Sequence, residues 1–301
     1  MGNILVAGLV NIETSVPVKG FPVEYFPIDY PFNKVKASVS GVGFNICANL
    51  TRLGDNVTFA TFTGRDLWEK IILMKLRETG IETENVLQTL SGTPQSVILY
   101  DPSGKREIYC DLKDYQDASY DFDRIMYAVR KADIVACCNS NFARPLLDIC
   151  KKSEKIVATD VHVLSDVHDA YNKDFLESAD ILFLSNEAIS GREEEFAGQL
   201  YEIYHTPVIV IGMGEKGSLL YEGAQGQRIF VPSVHTREVV STQGAGDALF
   251  SSFLHYFAKG KTVLESLQYA TVVASYKIGA DSSSEGFLTE DEVENLISKL
   301  H

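Results

Sequence analysis

Late in the chain, Ser241-Thr242-Gln243-Gly244-Ala245-Gly246-Asp247 runs straight into the apolar stretch Ala248-Leu249-Phe250-Ser251-Ser252-Phe253-Leu254. Small polar residues ahead of an apolar run mark a loop that opens a buried helix. Gly244, Ala245 and Gly246 would then present backbone N–H groups at the positive end of that helix, where anions, phosphate above all, are held. Asp247 places a carboxylate beside the anion. An anion cradle next to a proton acceptor is what phosphoryl transfer to a hydroxyl needs. An aspartate near a helix start is also a common cap and dipole partner, so taken alone Asp247 carries both meanings.

Two more glycine clusters stand out. Ser40-Gly41-Val42-Gly43-Phe44-Asn45 leads into a helical stretch that ends at Gly54. Its glycines serve either a strand-to-helix turn or the close approach of a ligand, with Asn45 bonding ligand hydroxyls. Gly212-Met213-Gly214-Glu215-Lys216-Gly217 satisfies the G-x-G-x-x-G spacing. A dinucleotide site needs a helix after those glycines. Here Ser218–Tyr221 follows and reads as a strand, which argues against a nicotinamide or flavin enzyme. Asp160, His162, Asp166 and His168 match no zinc spacing and read as loop polars, with Asp160 and His162 placed for a pocket mouth. Arg192-Glu193-Glu194-Glu195 reads as a solvated helix start. Neither G-x-x-x-x-G-K-[ST] nor G-x-S-x-G occurs.

Composition narrows the partners. The chain has 301 residues, 45% of them hydrophobic, and a formal net charge of −14. That charge argues against nucleic acid and against an anionic membrane surface, while leaving room for a nucleotide in a local site. No apolar run of about eighteen residues is present to cross a bilayer. Asn3–Gly8 reads as a first strand, not a signal peptide. Five cysteines without a C-x-x-C pair indicate reduced thiols and a cytoplasmic setting, with Cys137-Cys138 in a core strand.

Positioning these clusters falls to alternating strands and helices. Strand candidates lie at Ile4–Ala7, Val57–Thr61, Ile134–Cys138, Ile156–Thr159, Ile181–Leu184 and Val208–Ile211, and several are continuous apolar runs, as strands covered on both faces are. Helical patterns lie between them at Asn45–Leu53, Leu67–Thr79, Asp123–Lys131 and Phe142–Lys151. The rhythm predicts an α/β fold, a mostly parallel sheet with helices on both sides. Two segments break it: residues 12–38, rich in Phe, Tyr and Pro, and residues 94–113, where Asp101-Pro102-Ser103-Gly104 is a turn between strands. Together they predict a small β-structure standing off the main sheet. The expected organisation is a single domain over 1–301 with an appended lid.

These residues resemble the ribokinase-like (PfkB-type) sugar and nucleoside kinases over essentially the whole chain. One signature is Gly41-Val42-Gly43-Phe44-Asn45 through Leu53-Gly54, and the other is Ser241–Asp247. Gly64-Arg65-Asp66, Gly104-Lys105-Arg106, Asn186, Gly214–Gly217 and Gly279-Ala280 agree in order. The resemblance implies a three-layer α/β/α sandwich with a β-lid and transfer of the ATP γ-phosphate with Mg²⁺. It implies Asp247 as base and Gly244, Ala245 and Gly246 as anion hole. Asn11, Glu13, Gly41, Gly43 and Asn45 match substrate positions, and Asn186, Gly212, Gly214, Gly217 and Thr242 match positions near the nucleotide. Gly279–Ser284 is similar to a loop that helps bind a monovalent cation such as K⁺ in some members, and lid-to-lid homodimers occur in the family.

Departures are equally plain. Ser241 stands where the family has Asp, and Glu13 replaces another Asp. Ser40 replaces a glycine, and Gly212 replaces a threonine. Ile189 occupies the acidic position of the N-x-x-E motif that helps organise Mg²⁺, with Glu187 offset by two residues. The expected activity is phosphorylation of a small sugar or sugar acid. A nucleoside kinase and a non-catalytic ligand-sensing relative are the alternatives.

Overall fold

The computed structural model describes residues 1–300. The chain opens with β1 (Asn3–Ala7), then leaves the main sheet for β2 (Asn11–Pro17) and β3 (Lys36–Ser40). It returns through α1 (Val42–Leu53), β4 (Asn56–Thr63), α2 (Leu67–Thr79) and β5 (Val86–Gln88), and β6 (Gln95–Tyr100) and β7 (Arg106–Asp111) complete a second sheet. Alternation follows: α3 (Met126–Lys131), β8 (Ile134–Cys137), α4 (Arg144–Lys152), β9 (Ile156–Val163), α5 (Lys173–Ser178), β10 (Ile181–Ser185), α6 (Glu193–Tyr204) and β11 (Val208–Gly212). An antiparallel ribbon, β12 (Gly217–Glu222) and β13 (Gln227–Pro232), precedes α7 (Ala245–Ala258), α8 (Val263–Lys277) and α9 (Glu290–Leu300).

The main sheet runs β13-β12-β11-β10-β9-β8-β1-β4-β5, parallel from β5 through β11. Alternate residues of β1 feed opposite faces. Leu5 and Ala7 pack with Val129, Leu146, Leu176 and Leu200 of α3 to α6, whereas Ile4 and Val6 pack with Ile46, Ile72, Phe250 and Leu267 of α1, α2, α7 and α8. Two helix layers therefore sandwich one sheet, the ribokinase-like α/β/α arrangement. Its order reverses at β1 and β8, since β4 and β5 extend one side and β8 onward the other. Parallel sheets bind ligands outside the strand ends at such a reversal.

Local chemistry fixes the ends. Gly54 and Gly80 close α1 and α2 in the left-handed region, at φ 101° and 84°. Asp66 caps α2 by accepting from the Glu69 amide. Some boundaries differ from the sequence pattern. α1 starts three residues early, at Val42, which puts Gly43 and Asn45 in its first turn. The stretches at Asp123–Lys131 and Phe142–Lys151 open with 3₁₀ turns, Phe122–Ile125 and Asn141–Ala143, before the α-helix begins. Between β2 and β3 the Phe-, Tyr- and Pro-rich residues form no regular element.

The second sheet is ordered β3-β2-β6-β7. Register puts Glu13 opposite Ser38 on one side and Ser96 on the other, and Ser96 opposite Cys110. Residues so paired share a face, so this row forms one polar stripe across the second sheet.

Candidate active site

Asp247 sits in the first turn of α7, where helix amides lack intrahelical acceptors. Gly244 is the N-cap at φ 71°, and a β-carbon there would lie 2.4 Å from the Ser283 carbonyl oxygen. Only glycine fits that contact. A β-carbon on Gly246 would meet nothing within 4 Å, so this turn faces open space. Asn45 Nδ2 donates to Asp247 Oδ2 at 2.7 Å, joining α1 to α7. Burial pushes the Asp247 carboxyl up to about 6, with Asp160 and Glu13 adding to the rise and the Asn45 bond and His162 opposing it. The carboxylate thus lies within the field of groups from β2 and β9.

Two asparagines, Asn45 on α1 and Asn11 on β2, carry unsatisfied acceptors. Asn45 and Asn11 are both buried, and neither Oδ1 has a hydrogen-bond partner. Asn11 Nδ2 donates to Ser96 Oγ at 3.0 Å. Such orphaned carbonyl oxygens are costly unless a ligand donor, for instance a hydroxyl, satisfies them. Glu13 accepts from Ser283 Oγ at 2.9 Å and from Ser40 Oγ at 3.1 Å, and the two hydroxyls lie 2.7 Å apart. Three distant segments therefore meet on one carboxylate.

Gly41 and Gly43 have a packing reason. A β-carbon on Gly41 would lie 2.6 Å from the Leu9 carbonyl oxygen, and one on Gly43 would lie 2.6 Å from the Gly8 carbonyl carbon. They let α1 press against the end of β1 and so deliver Asn45. Asp160 and His162 follow the same logic on β9: the His162 amide donates to Asp160 Oδ1 at 2.8 Å, with His162 at φ 60°.

Another group gathers at the ends of β10 and β11. Asn186 follows β10 and its amide donates to the Gly212 carbonyl at 2.9 Å. Gly214 begins a 3₁₀ turn at φ 59° and Gly217 closes it, where a β-carbon would strike the Val231 carbonyl. No helix follows, which removes the dinucleotide motif. β1 and β10 are three strand spacings apart, about 14 Å. Thr242 is exposed in the loop before α7, and no hydrogen bond ties it to the Gly212–Gly217 turn.

Sequence reasoning mistook Glu193. It is not a solvated residue of an acidic run but is 8% exposed. Its Oε1 accepts from Asn186 Nδ2 at 2.7 Å and its Oε2 from the Gly191 amide at 2.9 Å. Burial raises its proton affinity, but those bonds and Lys216 outweigh that and hold it ionised. Ile189 is in the core, and the carboxylate that bonds Asn186 is Glu193, the first residue of α6. Among the described residues no three His, Cys, Asp or Glu side chains group to hold a metal unaided. One carboxylate, with nucleotide phosphates and water as other ligands, does fit Mg²⁺.

A ribokinase-like fold with a glycine-opened helix start that carries a carboxylate in its first turn is the architecture of a sugar-kinase class of enzyme. The chain belongs to the pfkB family of carbohydrate kinases, whose model matches residues 1–290. It is 28% identical over 272 residues to an ATP-dependent 6-phosphofructokinase of Thermoanaerobacterium thermosaccharolyticum, covering 83% of this chain and 82% of that one. A 5-dehydro-2-deoxygluconokinase of Geobacillus thermodenitrificans is 22% identical over 298 residues, covering 87% and 85%. The solved ribokinase of Giardia lamblia superposes with a TM-score of 0.86 at 18% identity, over 100% of this chain and 99% of that one.

Proposed function

We propose that this kinase transfers the γ-phosphate of ATP to a hydroxyl of a small sugar or sugar acid, with Asp247 as the base. The observation that supports this is the Asn45 bond to Asp247 in the turn opened by Gly244, with the orphaned oxygens of Asn45 and, on β2, of Asn11 as acceptors for ligand hydroxyls. Sugar hydroxyls satisfy those oxygens and are oriented by them. Asp247 takes the proton of the attacking hydroxyl, and a proton affinity near 6 suits a base working near neutrality. The amides of Gly244, Ala245 and Gly246 stabilise charge on the moving phosphoryl.

Asn186, the Gly212–Gly217 turn and Thr242 hold the nucleotide end, with Asn186 orienting Glu193. Mg²⁺, when bound near Glu193, would neutralise phosphate charge. The second sheet covers the acceptor and lets two chains pair through its outer face. The two relatives named above carry names of sugar or sugar-acid kinases, which supports that acceptor class over a nucleoside.

The test is ADP release from Mg·ATP over a panel of fructose, ribose, keto-deoxy acids and nucleosides. Turnover should appear with a sugar or sugar acid, and Asp247→Asn should lose on the order of a hundredfold or more. Near-normal turnover in that variant removes Asp247 as base. Turnover confined to nucleosides removes the sugar assignment, and none at all returns the chain to a ligand-sensing role.

A further inference from the structure

Lys277 is the last residue of α8, and its side chain is wholly buried at 0% exposure. Its Nζ donates to the Ser282 carbonyl at 2.7 Å. Among the described residues no carboxylate lies within ion-pair distance of it. A buried ammonium without a counterion is costly. The negative end of the α8 dipole offsets part of that cost. What Lys277 faces indicates the rest. Its Cε lies 3.1 Å from where a β-carbon on Gly244 would sit, so its stem runs beneath the first residue of the anion-binding turn. Burial lowers its proton affinity while Asp247 and Glu13 raise it, leaving a value of about 8, so the ammonium prevails at neutral pH.

The surrounding loop is firmly held. Asp281 pairs with Lys36, Ser282 Oγ donates to Ser38 Oγ at 3.2 Å, and Ser284 Oγ donates to the Val39 carbonyl at 2.8 Å. Ser283 reaches Ser40 and Glu13. Residues 281–284 are thus stitched along β3, and Lys277 is fixed between that seam and Gly244.

We propose that Lys277 is a built-in counter-cation for the phosphoryl group held at the start of α7, stabilising its charge from beneath Gly244. Acting across Gly244, it is a positioning residue and does not touch the acceptor. The same geometry makes an added monovalent cation unnecessary at this loop. Nζ already takes the Ser282 carbonyl, and the Ser283 carbonyl is pressed against Gly244.

The inference rests on the kinase assignment, and the experiment separates the two. Lys277→Gln keeps a donor for Ser282 but removes the charge, Lys277→Met removes both, and Lys277→Arg keeps the charge. With the accepted sugar, kcat should fall on the order of a hundredfold in Lys277→Gln and Lys277→Met, with the sugar KM unchanged, while Lys277→Arg retains more. Calorimetry should show weaker ATP binding in Lys277→Gln but unchanged adenosine binding. Wild-type turnover should be equal in potassium and tetramethylammonium chloride. A Lys277→Gln variant with wild-type kcat and ATP affinity reduces Lys277 to a structural tie and overturns the proposal, as does a wild-type requirement for potassium. If neither a sugar, a sugar acid nor a nucleoside is turned over, the kinase assignment fails. Calorimetry then decides Lys277: an ATP-over-adenosine preference that is absent, or equal in wild type and Lys277→Gln, overturns it.

Discussion

A carboxyl that loses its proton near pH 6 has consequences at two pH-dependent properties of Asp247. A base must be ionised to accept a proton, so kcat/KM should fall as pH drops through about 6. Asn45→Ala removes the bond that favours the ionised form, and the acid limb should move upward in a pH–rate profile. An unmoved limb separates that limb from Asp247. Stability carries the opposite sign. The folded state holds this proton more tightly than the unfolded chain, so folding weakens as pH rises from the unfolded value toward 6. Asp247→Asn should therefore melt about 3 °C higher than wild type at pH 7.5 while being inactive. Calorimetric melts at pH 5 and 7.5 check this, since the gain should shrink at the lower pH. Asp247 and Asn45 were legible from glycine-flanked motifs. Glu193 was hidden within an acidic run, the usual dress of a solvated face. Lys277 was hidden at a helix end, where cations are ordinary.

Elements were readable where both faces of a strand are covered, because β1, β8, β10 and β11 then become continuous apolar runs. β5, three residues long, and β13, an exposed edge strand, carry no such signal. The 3₁₀ openings before α3 and α4 escaped because periodicity cannot tell a tight first turn from an α-turn. Asp66 shows what a cap does here beyond its own helix. It accepts from the Glu69 amide at 3.1 Å and from the Thr93 amide and hydroxyl at 2.8 Å, fastening α2 to the segment entering β6. Burial would raise its proton affinity, but those bonds outweigh that and hold the carboxyl low. A depressed folded value adds stability above the unfolded one, lost as pH falls through the folded value. Asp66→Ala should cost about 2 kcal/mol at pH 7, read by urea unfolding, and less at pH 3. A cost that does not change with pH sinks this account.

Across the whole molecule, charge and apolar surface divide the labour. The net charge of −14 favours solubility, and no helix among the described residues is long and apolar enough to cross a membrane. Yet Val97 and Tyr109, paired across β6 and β7, are exposed, as are Tyr25, Phe26, Tyr30 and Phe32. Apolar side chains left exposed on the second sheet call for cover, and a second chain supplies it in the proposed pairing. Sedimentation velocity should give the mass of two chains, and Val97→Lys with Tyr109→Lys should give one. A wild-type mass of one chain at all concentrations removes the pairing. Rhythm alone made the layered sheet legible, whereas a surface awaiting a partner looks in sequence like any apolar loop.

Sheet order has a bearing on how the protein comes to exist during translation. From β8 to β13 each new strand docks beside the one made just before it, so this half can grow outward as it leaves the ribosome. α7, bearing Asp247, emerges only after the thirteen strands of the described residues, and its partner Asn45 lies 202 residues earlier. Nascent chains cut short before α7 should therefore hold the strands with one apolar sheet face uncovered and no base, and such fragments would occupy the cell's quality control without ever consuming nucleotide.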